Sequence, residues 1–531
     1  VSSTDQQPST QETSASGATA GGGSLLKASG VTGIMTLLSR VLGLLRDIVI
    51  ARLFGTSVGA DAFFLANKIP NFMRRLFAEG AFSQAFVPVL SEYRSNKEHG
   101  EVRQLISAVM ASLGGFLSLL TALVLLAAPV VAVPIAFGFT DEPEKFALFV
   151  QMLRITFPYL LLISMTALCG AILNSYGRFA VPGFTPALLN ISLIASAFYL
   201  APMLEVPEMA LAWGVLIAGV VQLLFQLPFL MRLGLLPMPR LLSGHEGLVR
   251  IKRLMIPALF GVSVSQINLL LDTVIASLLV TGSISWLYFS DRLMELPLGI
   301  FGVAIAIAVL PSLSRKHAEQ SLDEFSATLD WAFRLVCLIA VPATLALVLL
   351  AEPLMITLFQ NDNFTERDVV NAAASLRAYA IGLLAFMSIK IFAPGYYARQ
   401  DTRTPVRIGI IAMVANMVMN IAFYLSGYAH VGLALATSLA ACLNAFLLWR
   451  GLYHDGVFHL HSGWLKFLLQ VVVANIAMLS FLVYLVGDWQ QWLDWSLMDR
   501  VGHMALLVLG GMLIYGLVLL IGGLRWRQLY R

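Results

Sequence analysis

From Leu25 onward the chain alternates between long apolar runs and short polar knots; LLTALVLLAAPVVAVPIAF and LVLGGMLIYGLVLLIGG are examples. These runs are apolar all round rather than along one stripe, so they are not surface helices of a soluble domain. A bilayer crossing needs roughly 20 apolar residues, and by that length rule the pattern predicts about fourteen spans. An even number places both termini on one side. The implied fold class is an all-α polytopic membrane protein. Residues 1–24, rich in Ser, Thr, Gln, Gly and Ala, contain no apolar segment of the kind a cleavable signal carries and read as a disordered tail.

Composition agrees with that pattern. Hydrophobic residues make up 58% of the chain and charged residues 12%, too few to cover a soluble body. The net charge of +4 does not point to nucleic acid, because the basic residues are scattered singly between apolar runs, as membrane topology is written. Cys169, Cys337 and Cys442 lie inside apolar segments without paired spacing and read as packing residues.

Charge asymmetry between connections gives an orientation. One set contains Arg94, Lys97, Arg103, Arg178, Arg232, Arg240, Arg250, Lys252, Arg253, Arg315, Lys316, Arg399, Arg403, Arg407, Arg450 and Lys466, then the tail of Arg525, Arg527 and Arg531. The other set offers mainly Lys145, Arg367 and Arg500, diluted by acids such as Asp141, Glu142, Glu205, Glu208, Glu352 and Asp368. The positive-inside rule makes the first set, and both termini, cytoplasmic.

The chain also repeats itself. Pro88 in VPVLSEY matches Pro311 in LPSLSRK, Arg154 matches Arg377, and Pro182 matches Pro405, all at one offset. RDIVIARLFG and LDTVIASLLV align Asp47 with Asp272 at nearly that offset. Equal offsets joining like-facing spans imply two parallel repeats of six helices, at 25–235 and 236–455, with 456–531 supplying two further helices and a basic tail.

Ionisable residues inside spans are the most informative positions, since an Arg at a helix centre costs about 2.5–3.5 kcal/mol on insertion scales. Arg40, Arg46 and Asp47 interrupt the first span, Asp61 and Lys68 the second, and Arg74, Arg75 and Glu79 its cytoplasmic end; Asp291, Arg292 and Glu295 lie in the eighth. Arg40 and Asp47, seven apart, share a helix face, with Arg46 well round from Arg40. Arg292 stands three residues before Glu295, a spacing for an ion pair. One reading is structural, with internal pairs fixing helix positions. The other is collective: arginines from both repeats line a central cavity and grip the phosphate oxygens of an anionic headgroup.

A family resemblance sharpens this. SRVLGLLRDIVIARLFG, ADAFFLANKIPNFMRRLFAEGAFSQAFVPVLSEY, NSYGRFAVPGFTPALLNIS, SVSQINLLLDTVIAS, YFSDRLMELPLGIFGVA and YYARQDTRTPVRI resemble the MurJ (MviN) family of lipid II flippases, and the likeness runs from about Leu25 to the C-terminus. It implies two six-helix lobes in a V around a central cavity plus two C-terminal helices forming a lipid-facing groove. It implies a bacterial cytoplasmic membrane protein of peptidoglycan biosynthesis, with lipid II and membrane lipids as partners. Carried over, the family's essential cavity arginines fall on Arg40, Arg46, Arg74 and Arg292 and its first-lobe acid on Asp61. Asp291 and Glu295 stand beside Arg292, and Glu79 joins the candidate gate or cavity acids.

No cofactor is expected. Directional transport needs a driver, and either a sodium ion or the membrane potential would serve. Some relatives bind sodium through their seventh and eleventh helices, where this chain has Asp272, Asn416 and Asn420; helix-to-helix hydrogen bonding is the plainer role for such residues. Lys390 is a candidate second-lobe cation, and His454, His459 and His461 read as a solvated loop rather than a metal site. No Walker lysine, nucleophile elbow or HExxH motif is present, so an ATPase or membrane hydrolase lacks its parts. A flippase for another polyprenyl-linked oligosaccharide remains the alternative, whereas a drug-cation exporter should line its cavity with carboxylates. The expected unit is a monomer, with peptidoglycan synthesis proteins as further candidate partners.

Overall fold

The computed structural model describes residues 20–76, 82–236 and 245–524, and every regular element among them is a helix. The first series runs α1 (Ala20–Phe54), α2 (Val58–Arg74), α3 (Phe82–Asn96), α4 (His99–Leu126), α5 (Ala128–Ile135), α6 (Pro143–Thr156), α7 (Tyr159–Ser175), α8 (Ala180–Ala195) and α9 (Met209–Arg232). A second follows as α10 (Glu246–Ser277), α11 (Ser283–Pro297), α12 (Val303–Ala318), α13 (Leu322–Leu349), α14 (Ala351–Leu358), α15 (Glu366–Ile381), α16 (Leu383–Tyr397), α17 (Arg403–Leu425) and α18 (Ala429–His454). Then come α19 (Trp464–Val486), the short α20 (Trp489–Asp494) and α21 (Leu497–Ile521).

The second series repeats the first element by element. Helices α4 and α13 each have 28 residues, and α5 and α14 each have 8. Each residue pair that suggested a repeat falls on equivalent helices: Pro88 and Pro311 on α3 and α12, Arg154 and Arg377 on α6 and α15, Pro182 and Pro405 on α8 and α17, Asp47 and Asp272 on α1 and α10.

Among the described residues, 11 helical segments are long and apolar enough to cross a bilayer. Helices α1, α2 and α10 stand outside that number, so length and composition alone do not reach the expected fourteen. The second half of α1 is interrupted by Arg40, Arg46, Asp47 and Arg52, and α2 has only 17 residues, with Asp61, Lys68 and Arg74 among them. Helix α1 begins at Ala20, five residues inside the segment expected to be a tail; residues 1–19 lie outside those described.

Burial is inverted relative to a soluble helix. Along α4, Phe116, Leu119, Leu123 and Leu126 form one exposed stripe at helical spacing, while Leu105, Val109, Leu113 and Leu117 are buried. A continuous apolar stripe of that kind is suited to acyl chains. Cys442 is exposed in the same way, unlike the buried Cys169 and Cys337.

Local chemistry sets the helix ends. Helix α1 stops at Gly55, whose φ of +60° suits glycine, and a Cβ there would lie 2.0 Å from the Asn363 carbonyl oxygen. Ser57 then caps α2 by accepting from the Ala60 N–H at 3.1 Å. Helix α3 packs along α10 across the boundary between the series, whereas the equivalent pair, α12 and α1, makes no extended contact among the described residues. Helices α19 and α21 pair with each other and rest on α13 and α14. The linker before α19 is held by backbone groups of His459 and His461, which bond Ser326, Asp330 and Arg334 of α13.

Candidate functional site

Four arginines from both series meet. Arg40 and Arg46 of α1, Arg74 of α2 and Arg292 of α11 line one cavity of about 540 Å3, together with Asp47, Asn190 of α8 and Glu295. Its six ionisable lining residues are four guanidinium groups and two carboxylates, a formal surplus of two positive charges. Arg46, well round the helix from Arg40, reaches the same space because its long stem folds back on its neighbour.

That folding makes a compact knot. Arg46 donates to Asp47 Oδ1 through Nε at 2.9 Å and Nη2 at 2.6 Å, to Asn190 Oδ1 at 2.9 Å and to the Tyr288 hydroxyl at 3.0 Å. Tyr288 donates in turn to Asp47 Oδ1 at 2.8 Å, so α11 of the second series is tied to α1 of the first. Arg292 lies over the Tyr288 ring, 5.0 Å from its centre, pairs with Glu295 at 2.9 Å and stands 3.9 Å from Asp47 Oδ2. Its expected partner Glu295 is confirmed; the second carboxylate is Asp47 rather than Asp291. Asn190 is anchored by donating to the Ser39 carbonyl at 3.0 Å, and Gly43 leaves room for that approach, its Cβ position being 3.6 Å from Asn190 Nδ2. These half-buried guanidinium groups are compensated, yet each retains N–H donors that can face a ligand.

A second cavity of about 630 Å3 adjoins the first, sharing Arg74 and Pro186. Its polar lining is mostly uncharged, with Gln222, Gln226, Thr185, Thr166 and Asn174, and Arg94 completes it.

Asp61 lies elsewhere, at the end formed by the connections poor in basic residues. It accepts from Gly282 N at 2.7 Å, Ser285 N at 2.9 Å and Ser285 Oγ at 2.6 Å, capping the start of α11 from the other half of the molecule. Beside it, α1 and α14 cap each other's last carbonyls: Arg52 donates to the Thr357 and Leu358 oxygens at 3.2 Å, while Asn361 and Asn363 donate to the Arg52 oxygen at 2.6 and 2.9 Å. Carbonyls at helix ends need such partners. This end of the molecule is closed by these bonds between halves.

The candidate cation residues do converge. Asn416 and Asn420 of α17 donate through Nδ2 to Asp272 Oδ1 of α10 at 2.8 and 2.6 Å. The Asn420 Oδ1 atom is buried without a hydrogen-bond partner among the described residues. Turning both amides over would bring their oxygens beside the carboxylate, a donor set that suits a hard cation. Asp47 of α1 and Asp272 of α10 are related by the repeat, and an arginine donates to the first where amides donate to the second.

Other expectations fare differently. Asp291 does not line the arginine cavity, and Lys390 is exposed and absent from its walls. Glu79 lies outside the described residues. Lys145, Asp368 and Arg500, read from the sequence as loop charges, are buried. Arg500 donates to the Leu493 and Trp495 carbonyls and to Gln360 Oε1, docking the start of α21 on the segment after α14. Tyr288 and Asn190 were missed. Tyr288 stands four residues before Arg292, hence on its face, and an Asn within the apolar run of α8 was a visible polar intruder.

The chain is similar to known proteins over nearly its whole length. The family described as "Lipid II flippase MurJ" matches residues 50–501. A probable lipid II flippase of Vibrio cholerae serotype O1 is 50% identical, covering 95% of this chain and 97% of the relative. Its counterpart in Haemophilus influenzae is 49% identical, over 93% and 99%. A solved structure described as a lipid II flippase in an inward closed conformation superimposes with a TM-score of 0.78 at 27% identity, covering 94% of this chain and 99% of that one. An inward-facing multidrug transporter of the MATE family, at 15% identity, a TM-score of 0.62 and 80% and 98% coverage, shares the fold.

Proposed function

The chain belongs to the MurJ family of lipid II flippases, and from that membership we propose that it carries lipid II from the cytoplasmic to the periplasmic leaflet by alternating access, with Arg40, Arg46, Arg74 and Arg292 holding the headgroup. It is a transporter, and no covalent step is required of it. The observation that carries the reading is the convergence of those four arginines, from both halves, on one cavity. A diphosphate diester carries two negative charges, which the cavity's formal surplus of two positive charges matches.

Binding would proceed by exchange. Phosphate oxygens compete for guanidinium N–H groups now turned to Asp47 and Glu295, and bidentate geometry favours them. Because Arg46 and Tyr288 tie α1 to α11, taking up Arg46 and Arg292 rewrites a contact between the halves. The adjoining chamber, whose polar lining is mostly uncharged apart from Arg74 and Arg94, offers space for the rest of the headgroup, while the polyprenyl tail stays in lipid, following the groove beside the last two helices. The halves at 25–235 and 236–455 would rock about the site, with the arginine-rich connections and both termini cytoplasmic. The acids Asp61, Asp291 and Glu295 would act at gates and cavity.

Asp272, Asn416 and Asn420 are the residues that would hold a sodium ion, whose charge would help balance the carboxylate while the two amide oxygens complete its coordination. Membrane potential acting on the arginines is the other driver, worth about 2.3 kcal/mol per charge per 100 mV.

The test replaces Arg40, Arg46 and Arg292 singly with Ala in a strain depleted of its own flippase. Each variant should insert but fail to support growth, and purified protein should lose lipid II translocation. Full complementation by all three would end the proposal, and translocation of another polyprenyl-linked glycan in preference to lipid II would replace the substrate.

A further inference from the structure

Lys145 and Asp368 occupy the third position of equivalent helices, α6 and α15, each three residues after its N-cap, Glu142 and Thr365. Both are buried, with 3% and 6% of their surface exposed. Each reaches across to the other half. Lys145 Nζ donates to Thr281 Oγ1 at 2.9 Å, and Asp368 Oδ1 accepts from Thr56 Oγ1 at 2.6 Å. Thr56 and Thr281 are themselves equivalent, lying in the turns that follow α1 and α10. The same threonine bond is therefore made twice across the closed end, with the sign of the charge reversed.

Local helix chemistry accounts for one of these residues and not the other. Asp368 completes a capping box, accepting from Thr365 N and Thr365 Oγ1, both at 2.8 Å, and suits the positive end of a helix. A lysine at that position opposes the helix dipole, and a buried ammonium is costly unless paired. Around Lys145 stand Glu142 at 3.6 Å, the Phe139 ring with its centre 4.3 Å away, and Asp61, close enough to act on it electrostatically. Beside it the Gly138 N–H donates to Ser277 Oγ at 3.2 Å, and a Cβ on Gly138 would lie 2.1 Å from the Ser277 carbonyl oxygen. The segment before α6 is thus seated on the end of α10, and Lys145 is its pin.

We propose that Lys145 and Asp368 are the paired positioning residues of the periplasmic gate: two threonine latches of opposite charge, which hold that end closed and release together when the halves part. The proposal rests on the alternating-access reading and its orientation. The physics favours a latch over a permanent seal. On opening, ammonium and carboxylate regain full hydration, which offsets the broken bonds, so closed and open states can differ little in free energy. Removing one partner of a latch leaves the other buried with less compensation, and the closed state alone bears that cost.

The experiment places a single cysteine at Ser39, which lines the arginine cavity, in full-length protein lacking its three native cysteines. A membrane-impermeant maleimide is applied to intact spheroplasts, reaching the periplasmic face, and separately to inside-out vesicles. Lys145→Met and Thr281→Val should each raise labelling from the periplasmic face about tenfold or more over the parent, Thr56→Val by less because Asp368 Oδ1 still accepts from Trp286 Nε1 at 2.9 Å, and Lys145→Arg should restore the parent rate. If Lys145→Met does not insert, the two threonine variants decide. Parent-like periplasmic labelling in Thr281→Val and Thr56→Val would overturn the latch, as would opening by Lys145→Met that Thr281→Val does not reproduce. Faster labelling only in inside-out vesicles would instead sink the orientation, and lipid II binding in detergent separates the readings, since Arg292→Ala should lose it whereas Thr281→Val should keep it.

Discussion

Asp61→Ala should unlock the closed end without unfolding the protein. The carboxylate accepts three hydrogen bonds, from Gly282 N, Ser285 N and Ser285 Oγ, all from the opposite half. Deleting it orphans two buried backbone donors at about 1–3 kcal/mol each. Relief of the buried acid's own desolvation, and water entering the space, return part of that, leaving roughly 3 kcal/mol. Because the partners belong to different halves, this cost falls on the closed arrangement only. At 1.4 kcal/mol per decade, a closed state favoured about a hundredfold would come close to parity with the open one. Asp61→Asn keeps one acceptor oxygen and should lose roughly 1 kcal/mol. Periplasmic labelling of the Ser39 cysteine reads the shift directly: Ala should approach saturation, with Asn between it and the parent. Normal insertion, parent labelling and normal growth in Asp61→Ala would show that the cap is decorative and refute the reasoning.

Two further outcomes follow from the same geometry. Tyr288→Phe removes the hydroxyl shared by Arg46 and Asp47 but keeps the ring, stacked on Phe64 with centres 4.0 Å apart; lipid II affinity, measured by titration in detergent, should change by about 1 kcal/mol, well short of the loss in Arg46→Ala or Arg292→Ala. An effect equal to theirs would make the tyrosine rather than the guanidinium the ligand. Asp272→Ala should erase any sodium dependence of translocation in vesicles with varied sodium, and an unaltered sodium response would remove Asp272 from the coupling site.

Much of this was legible because membranes simplify the grammar. Helix class, the repeat and the arginine set follow from apolar run length, equal offsets and the cost of charge in lipid, each a local property. Partner choice was not legible. Periodicity gave the face of α1 that carries Arg40 and Asp47, whereas Arg46, set round from that face, reaches the cavity because a stem of that length can fold back along its own helix. Lys145, Asp368 and Arg500 were counted as loop charges since they lie near helix starts, where a one-dimensional reading cannot tell solvent from an opposing half. Their partners, Thr281, Thr56 and Gln360, are far away in sequence and chemically ordinary. Only the repeat could have exposed the latches, by asking what faces each of two equivalent, oppositely charged positions.

That comparison also bears on how two ions of opposite sign could share one molecule. Asp47 and Asp272 are related by the repeat, the first buried and the second half-buried, and each carboxylate must be compensated. The first half uses Arg46, with Arg292 nearby, so its compensation is a fixed charge and its surplus donors turn toward an anion. In the second half the carboxylate's hydrogen-bond donors are amides, with the charge of Lys68 acting from α2. The amides can turn to offer oxygen instead of N–H, so a cation bound there would add to that compensation. Both rigid elements involved lead to the closed end. Asp272 lies five residues before Ser277 on α10, about 7.5 Å along a helix axis, and the turn that follows carries Thr281 and Gly282. Lys68 lies seven residues after Asp61 on α2, on the same face. A change of charge at Asp272 would thus act on the two helices whose ends are latched, and the headgroup site would feel it through α11, which Asp61 caps and which carries Tyr288 and Arg292. Coupling of this kind requires no contact between cation and substrate, only that each favour a different arrangement of the same two helices.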